Sequence, residues 1–167
     1  MKYRASRVAL LGLLFALSMV LSFVESGFAG LIPIPGIKPG LSNIVTMYCL
    51  FCLGRREAYT LALLKSFFVF LTRGAVGAAM SLAGGLLSVS VMLILLLFGE
   101  KKFSDTFLSV CGGVSHNVGQ ILMAMLVLGS TAVVYYLPVL MISGVAMGVI
   151  TGMLLRYLMP HLNRFFF

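Results

Sequence analysis

Six stretches of the chain are almost uninterrupted apolar sequence, at 5–26, 41–54, 57–73, 78–98, 105–128 and 132–157, with short polar breaks between them. A hydrocarbon core of ~30 Å is crossed by about 20 apolar residues in an α-helix, so the pattern predicts membrane-spanning helices. The second stretch is the exception. Leu41 to Leu53 supplies 13 residues, about 20 Å of helix at 1.5 Å per residue, and cannot cross alone. Its outer end has to be completed by the segment before it, IPIPGIKPGLSN at 32–43, which carries three prolines, two glycines and Lys38. The plain reading is a rigid connector with a solvated lysine. Interrupted apolar segments often adjoin binding sites, and prolines lower the entropy that a covering segment loses on ordering. The outer loop 27–40 is therefore read as a lid.

Small residues recur at helical spacing inside these stretches. Gly144, Gly148 and Gly152 repeat every four positions in the last one, and Ser81, Gly84, Gly85 and Ser88 lie on the fourth. Such spacing lets helix backbones approach closely in lipid, and packing within the chain is expected rather than dimerisation. Ala5, Ala9, Gly12 and Ala16 draw a similar stripe along the first span, where a partner helix can dock.

Composition agrees with a membrane setting. Of 167 residues, 61% are hydrophobic and only 10% charged, with a mean hydropathy of +1.14. A soluble domain carries about 25% charged residues, so most of this surface has to face lipid. The expected architecture is an all-α, six-helix integral membrane protein in a single domain, 1–167. Net charge is +8, but the cations sit in short clusters between spans. Lys2, Arg4, Arg7, Arg55, Arg56, Lys101, Lys102, Arg156 and Arg164 fall on one side of a six-span topology, with Lys38 and Arg73 on the other. Nine against two is a positive-inside bias, which places both termini in the cytoplasm and the proline-rich loop outside. No basic face interleaved with aromatics tracks a phosphate backbone, so nucleic acid is not an expected partner. Residues 1–24 resemble a signal peptide but lack a small-x-small cleavage site, and are read as a retained first span.

Residue types that are scarce narrow the chemistry. Asp105 is the single aspartate, and Glu25, Glu57 and Glu100 are the glutamates. Paired Asp-rich motifs that hold magnesium on a diphosphate cannot be assembled from this set. There is no Walker loop for ATP. Two distant histidines and a Cys49-x-x-Cys52 pair inside an apolar run offer no second ligand pair for a metal. Neither enzymatic activity nor a cofactor is expected.

The candidate site comes from polar residues within the spans. Lys65 lies midway along the third, where an uncompensated lysine costs roughly 2.5–3.5 kcal/mol on insertion scales. It either turns to the interior or snorkels to an interface. Ser115, His116, Asn117 and Gln120 cluster in the fifth span, with His116 and Gln120 at i, i+4 on one face. They either line a cavity or bond a neighbouring helix. Lys38, Asn43 and Arg73 join them at the outer mouth. Three cations there and at the centre, Lys38, Lys65 and Arg73, face one acid, Glu25. Buried cations lacking protein anions take others, so the expected ligand is small, anionic and partly apolar.

Four segments carry a family resemblance: KPGLSNIVTMYCLFCLGRREA, SLAGGLLSVSVMLIL, GGVSHNVGQILMA and YYLPVLMISGVAMGVITGMLL. In order and spacing, over most of 38–155, they resemble the Gx transporter family, also labelled heptaprenyl diphosphate synthase component I. That family is similar to the substrate-binding S components of energy-coupling-factor (ECF) vitamin transporters. The resemblance implies six membrane helices, ligand capture beneath an outer loop, and docking through the first helix on a coupling protein driven by two ATPases. It also implies a bacterial plasma-membrane location. The enzyme label fits only a noncatalytic subunit, because a prenyl diphosphate synthase needs two Asp-rich motifs. The expected function is thus an S-component-like subunit that binds its ligand at Lys38, Asn43, Lys65, Arg73, His116, Asn117 and Gln120. The alternative is a noncatalytic membrane subunit tied to prenyl diphosphate or quinone synthesis, or to flavin-dependent extracellular electron transfer. A stand-alone facilitator is a third reading.

Overall fold

Long runs of Leu, Ala, Val and Met with few internal prolines satisfy their own backbone hydrogen bonds only as helices when water is absent. A computed structural model of the chain describes residues 2–29, 41–99 and 103–166, and among these every regular element is helical. The order is α1 (Lys2–Ala29), α2 (Leu41–Cys52), α3 (Arg55–Leu97), α4 (Asp105–Leu128), a 3₁₀ segment (Thr131–Tyr136) and α5 (Leu137–Phe166). Among the described residues, four helices are long and apolar enough to cross a membrane; α2 is not. The Ser104 side chain caps α4 by accepting from the Phe107 N–H at 3.2 Å, and Gly129 ends that helix in the left-handed region.

At 43 residues α3 is too long for one crossing. Straight, it would measure about 64 Å, twice a ~30 Å core. The chain resolves this at Gly74, whose φ of 79° and ψ of −176° break the helix. That region is essentially glycine-only, because a Cβ there meets the backbone. The arms 55–73 and 75–97 fold back on one another. Tyr59 Oη and Ser90 Oγ lie 2.7 Å apart, and a Cβ on Gly85 would stand 3.4 Å from that of Ala62. Both pairs straddle Gly74 almost symmetrically.

The six expected stretches therefore fall on five helices, with the third and fourth sharing α3. The expected loop at 74–77 shrinks to one non-helical residue. Residues 27–29, expected in the outer loop, continue α1, while 30–40, including Lys38, lie outside the described residues. The sixth stretch opens as the 3₁₀ segment rather than as α-helix. Pro138 has no N–H to give the preceding turn, so a regular α-helix begins only at Leu137.

The bundle is turned inside out relative to a soluble protein. Phe67, Leu126 and Ile142 are 61%, 78% and 72% exposed, whereas Ser18, Glu25, Thr46, Ser88 and Thr151 are buried. Tyr48, Cys49, Leu61, Val89, Met92, Leu108 and Leu155 form a fully buried apolar cluster. The glycine repeat on α5 packs within the chain, as expected. A Cβ at Gly148 would sit 2.5 Å from Val110 Cα, and one at Gly152 2.6 Å from Thr106 Cα.

Candidate functional site

The first turn of α2 organises the interior. A helix start leaves backbone N–H groups unpaired and carries the positive end of the helix dipole. Glu25, 2% exposed near the end of α1, meets both needs. Its Oε1 accepts from the Ser42 N–H at 3.0 Å, and Oε2 lies 3.5 Å from the Ser42 hydroxyl.

Lys65, from the first arm of α3, reaches the same turn. Nζ donates to Ser42 O at 3.1 Å, Asn43 Oδ1 at 3.2 Å and Thr46 Oγ1 at 3.4 Å. An ammonium has three donors, and each has an acceptor. Lys65 thus turns inward instead of snorkelling. Its partners are neutral oxygens of α2, with Glu25 close enough to act electrostatically. Counting carboxylates does not register backbone and amide oxygens.

On α4, the polar cluster divides. Ser115 spends its hydroxyl on its own helix, donating to Cys111 O at 2.6 Å. Asn117 donates to Leu140 O of α5 at 2.7 Å. His116 and Gln120 lie across from Gly84, where a Cβ would come 3.0 Å from His116 Cε1 and 2.9 Å from Gln120 Cγ. Glycine at 84 is what makes room for both side chains. His116 Nδ1 is buried and has no hydrogen-bond partner.

These groups surround a cavity of about 140 Å³ with walls from all five helices. Asn43, Lys65, Arg73, His116, Asn117 and Gln120 all line it, Arg73 from an exposed position beside the Gly74 break. The two alternatives for the α4 cluster both occur, since Asn117 lines the cavity and also bonds α5. A second chamber of about 10 Å³ is bounded by Asn43, Thr46, Ala62, Lys65, Ser81, Gly85, Ser88 and His116.

Sequence reasoning missed much of the wall. Ser22 and Ser18 line the cavity from α1, one and two turns before Glu25, at a helical spacing that marks an inward face. Met19, Met47, Met80, Met92 and Met147 supply soft, adaptable surface from four helices. Methionine in so apolar a chain carries no spacing signal of its own. The α1 stripe lies elsewhere: Ala9, Gly12 and Ala16 are exposed, and nothing lies within 4 Å of a Cβ built on Gly12. For Ala5 only the backbone is described.

Lipid-ready helices around an internal cavity lined by both polar and apolar side chains define a multi-pass, all-α membrane protein. The chain belongs to the family described as heptaprenyl diphosphate synthase component I, whose model matches residues 14–158. Comparison with curated proteins and with solved structures finds no match.

Proposed function

We propose that this protein is an S-component-like, substrate-binding subunit of an ECF-type transporter in a bacterial plasma membrane. The observation that carries the reading is the cavity of about 140 Å³, reached by side chains of all five helices. It is close in size to a cavity of about 150 Å³ that accepts benzene in an engineered protein, so a ring-sized body fits. The two arms of α3 count as separate spans in this reading, giving six with α2. Both termini face the cytoplasm: Arg7, Arg55, Arg56 and Arg156 belong to one end of the bundle, where Arg7 meets Glu57 at 4.0 Å, and Arg73 to the other. Ligand enters from the outer side beneath the 27–40 segment. Lys38, Asn43, Lys65, Arg73, His116, Asn117 and Gln120 contact it, and an anionic group meets the cations. A coupling membrane protein with ATPases docks on the Ala5–Ala9–Gly12–Ala16 stripe and supplies the energy, so this chain is not itself an enzyme.

Affinity purification of the full chain from its native membrane tests the reading. Recovery of a membrane coupling protein with two ATPases is expected, together with a small molecule identifiable by mass spectrometry. Gly12→Leu fills exposed space and should leave the chain folded while cutting that recovery. The family description favours a second reading, a noncatalytic subunit beside a soluble prenyl diphosphate synthase. Recovery of that enzyme alone would replace the first reading. Uptake by the chain alone in liposomes without ATP would make it a facilitator.

A further inference from the structure

Side-chain amides of Asn43, Asn117 and Gln120 line the main cavity, and bonds within the chain decide what each has left to offer. Lys65 can only donate, so the Asn43 atom it meets at 3.2 Å is the amide oxygen, and Nδ2 keeps no partner. Leu140 O can only accept, so Asn117 gives it an N–H at 2.7 Å, and Oδ1 keeps no partner. Gln120 makes no hydrogen bond among the described residues, so both ends of its amide remain. Among those residues, the buried side-chain atoms lacking a partner are Tyr48 Oη and His116 Nδ1. The four uncommitted amide atoms are therefore open rather than sealed in packing. Serine hydroxyls on the same wall rotate to give or take a proton and set no polarity. The amides do. Because α2 and α4 both pack on α3 and α5, Asn43 and Asn117 stand on different walls. Gln120 has a defined depth: its Cγ would lie 2.9 Å from a Cβ on Gly84, whereas a Cβ on Gly77 would lie 3.1 Å from Arg73 Cβ. Those two glycines are about 10 Å apart along the second arm of α3. One ring with polar groups on opposite edges spans that distance once a hydrogen bond of about 3 Å is added at each end.

Resting on the transport-subunit reading and naming its ligand class, we infer that Asn43, Asn117 and Gln120 form a subsite for a heterocyclic amide. The ligand is a compact ring lactam whose adjacent N–H and C=O pair with the Gln120 amide, its anionic group lying toward Arg73. Asn and Gln read neighbouring donors and acceptors on a heterocycle edge in this two-bond manner. Asn43 Nδ2 offers the ring carbonyl a second donor, and Asn117 Oδ1 accepts a further ring N–H of the kind a cyclic ureide carries. Such a ring displaces water as it fills the cavity, so an analogue without the amide edge strands these groups and is rejected.

Four single-ring carboxylates test this by calorimetric titration into the full chain in nanodiscs. They are 6-hydroxynicotinate, which is a lactam in water, its lactone counterpart coumalate, in which a ring oxygen replaces the N–H, 4-hydroxybenzoate and benzoate. The lactam should bind at least about tenfold more tightly than the lactone, which sets an acceptor against an acceptor. Gln120→Leu has no hydrogen bond to lose within the described chain, so the fold is kept while the lactam-to-lactone ratio falls to near one. Asn43→Asp keeps an oxygen for Lys65 and removes only the donor. There the preference for the lactam over benzoate should fall several-fold, and the added charge acts on both probes alike. Equal binding of lactam and lactone, a ratio unchanged in Gln120→Leu or Asn43→Asp, or no binding of the lactam would each overturn the subsite. So would binding of 4-hydroxybenzoate as tight as that of the lactam, since a single hydroxyl would then suffice. The transport reading fails separately: if the probes discriminate but no ATPase partner is recovered, the subsite stands and that reading falls.

Discussion

Replacing Gly148 by alanine sets two effects of known sign against each other. Alanine is favoured over glycine inside a helix by roughly 0.5–1 kcal/mol, because glycine loses more backbone freedom on folding. Against this, the new Cβ would lie 2.5 Å from Val110 Cα and 2.9 Å from both Val110 N and Ser109 O. Carbon atoms prefer separations of about 3.5–4.0 Å, so α5 would have to move roughly 1 Å away from α4. No rotamer change relieves the overlap, since every atom it meets is backbone. Over-packing of this sort costs about 1–3 kcal/mol, and the displacement also loosens the neighbouring close approaches at Gly144 and Gly152. The clash therefore outweighs the propensity gain, and a net loss of about 1–2 kcal/mol is expected. Unfolding by SDS titration in mixed micelles measures it. Gly12→Ala is the internal control, because nothing lies within 4 Å of its new Cβ; it should be neutral or slightly stabilising. If Gly148→Ala is as stable as Gly12→Ala, the close approach of α4 and α5 is wrong.

Gly74→Ala isolates backbone strain, because no atom lies within 4 Å of the added Cβ while φ is 79°. A loss of about 1–3 kcal/mol is expected in the same titration; an unchanged midpoint would mean that the α3 turn is not built on this conformation. Lys65→Met removes three hydrogen bonds and strands oxygens of the first turn of α2. The inserted but unfolded chain also carries the lysine in lipid or detergent, so its insertion cost largely cancels and a loss of about 1–3 kcal/mol remains. Hydrogen exchange should quicken at the amides of 42–46, and unchanged protection there would contradict the pinning role.

Membrane character and helix content were legible because lipid imposes one rule on every outward position, and Leu, Val, Ile and Phe report it directly. The Gly144–Gly148–Gly152 repeat and the His116–Asn117–Gln120 cluster were legible for a similar reason: helical spacing alone puts them on shared faces. The join within α3 was not. A break at 74–77 was expected, but not that Gly74 alone would make it, which only its φ reveals. Lys65 was legible as an inward or interfacial cation, but its acceptors were not, since they come from a first turn of α2 that lies about twenty residues away in sequence. The hydroxyl and methionine walls went unread because each contributes one residue per turn from different helices, and only the fold gathers them.

That placement of Lys65 also relocates the charge that a ligand would meet. Glu25 and Lys65 both terminate on the first turn of α2, one on its N–H and the other on its oxygens, and their formal charges cancel across that turn. A ligand anion pushed to the depth of Lys65 would find a cation already bonded and a carboxylate nearby. There the anion would have to displace neutral oxygens that already satisfy all three N–H donors of Lys65. Among the described cations of the cavity wall, Arg73 stands where solvent still reaches, beside the Gly74 break. In the proposed transport subunit, a ligand would keep its charged end near Arg73 while its apolar body rests against the methionines of the wall.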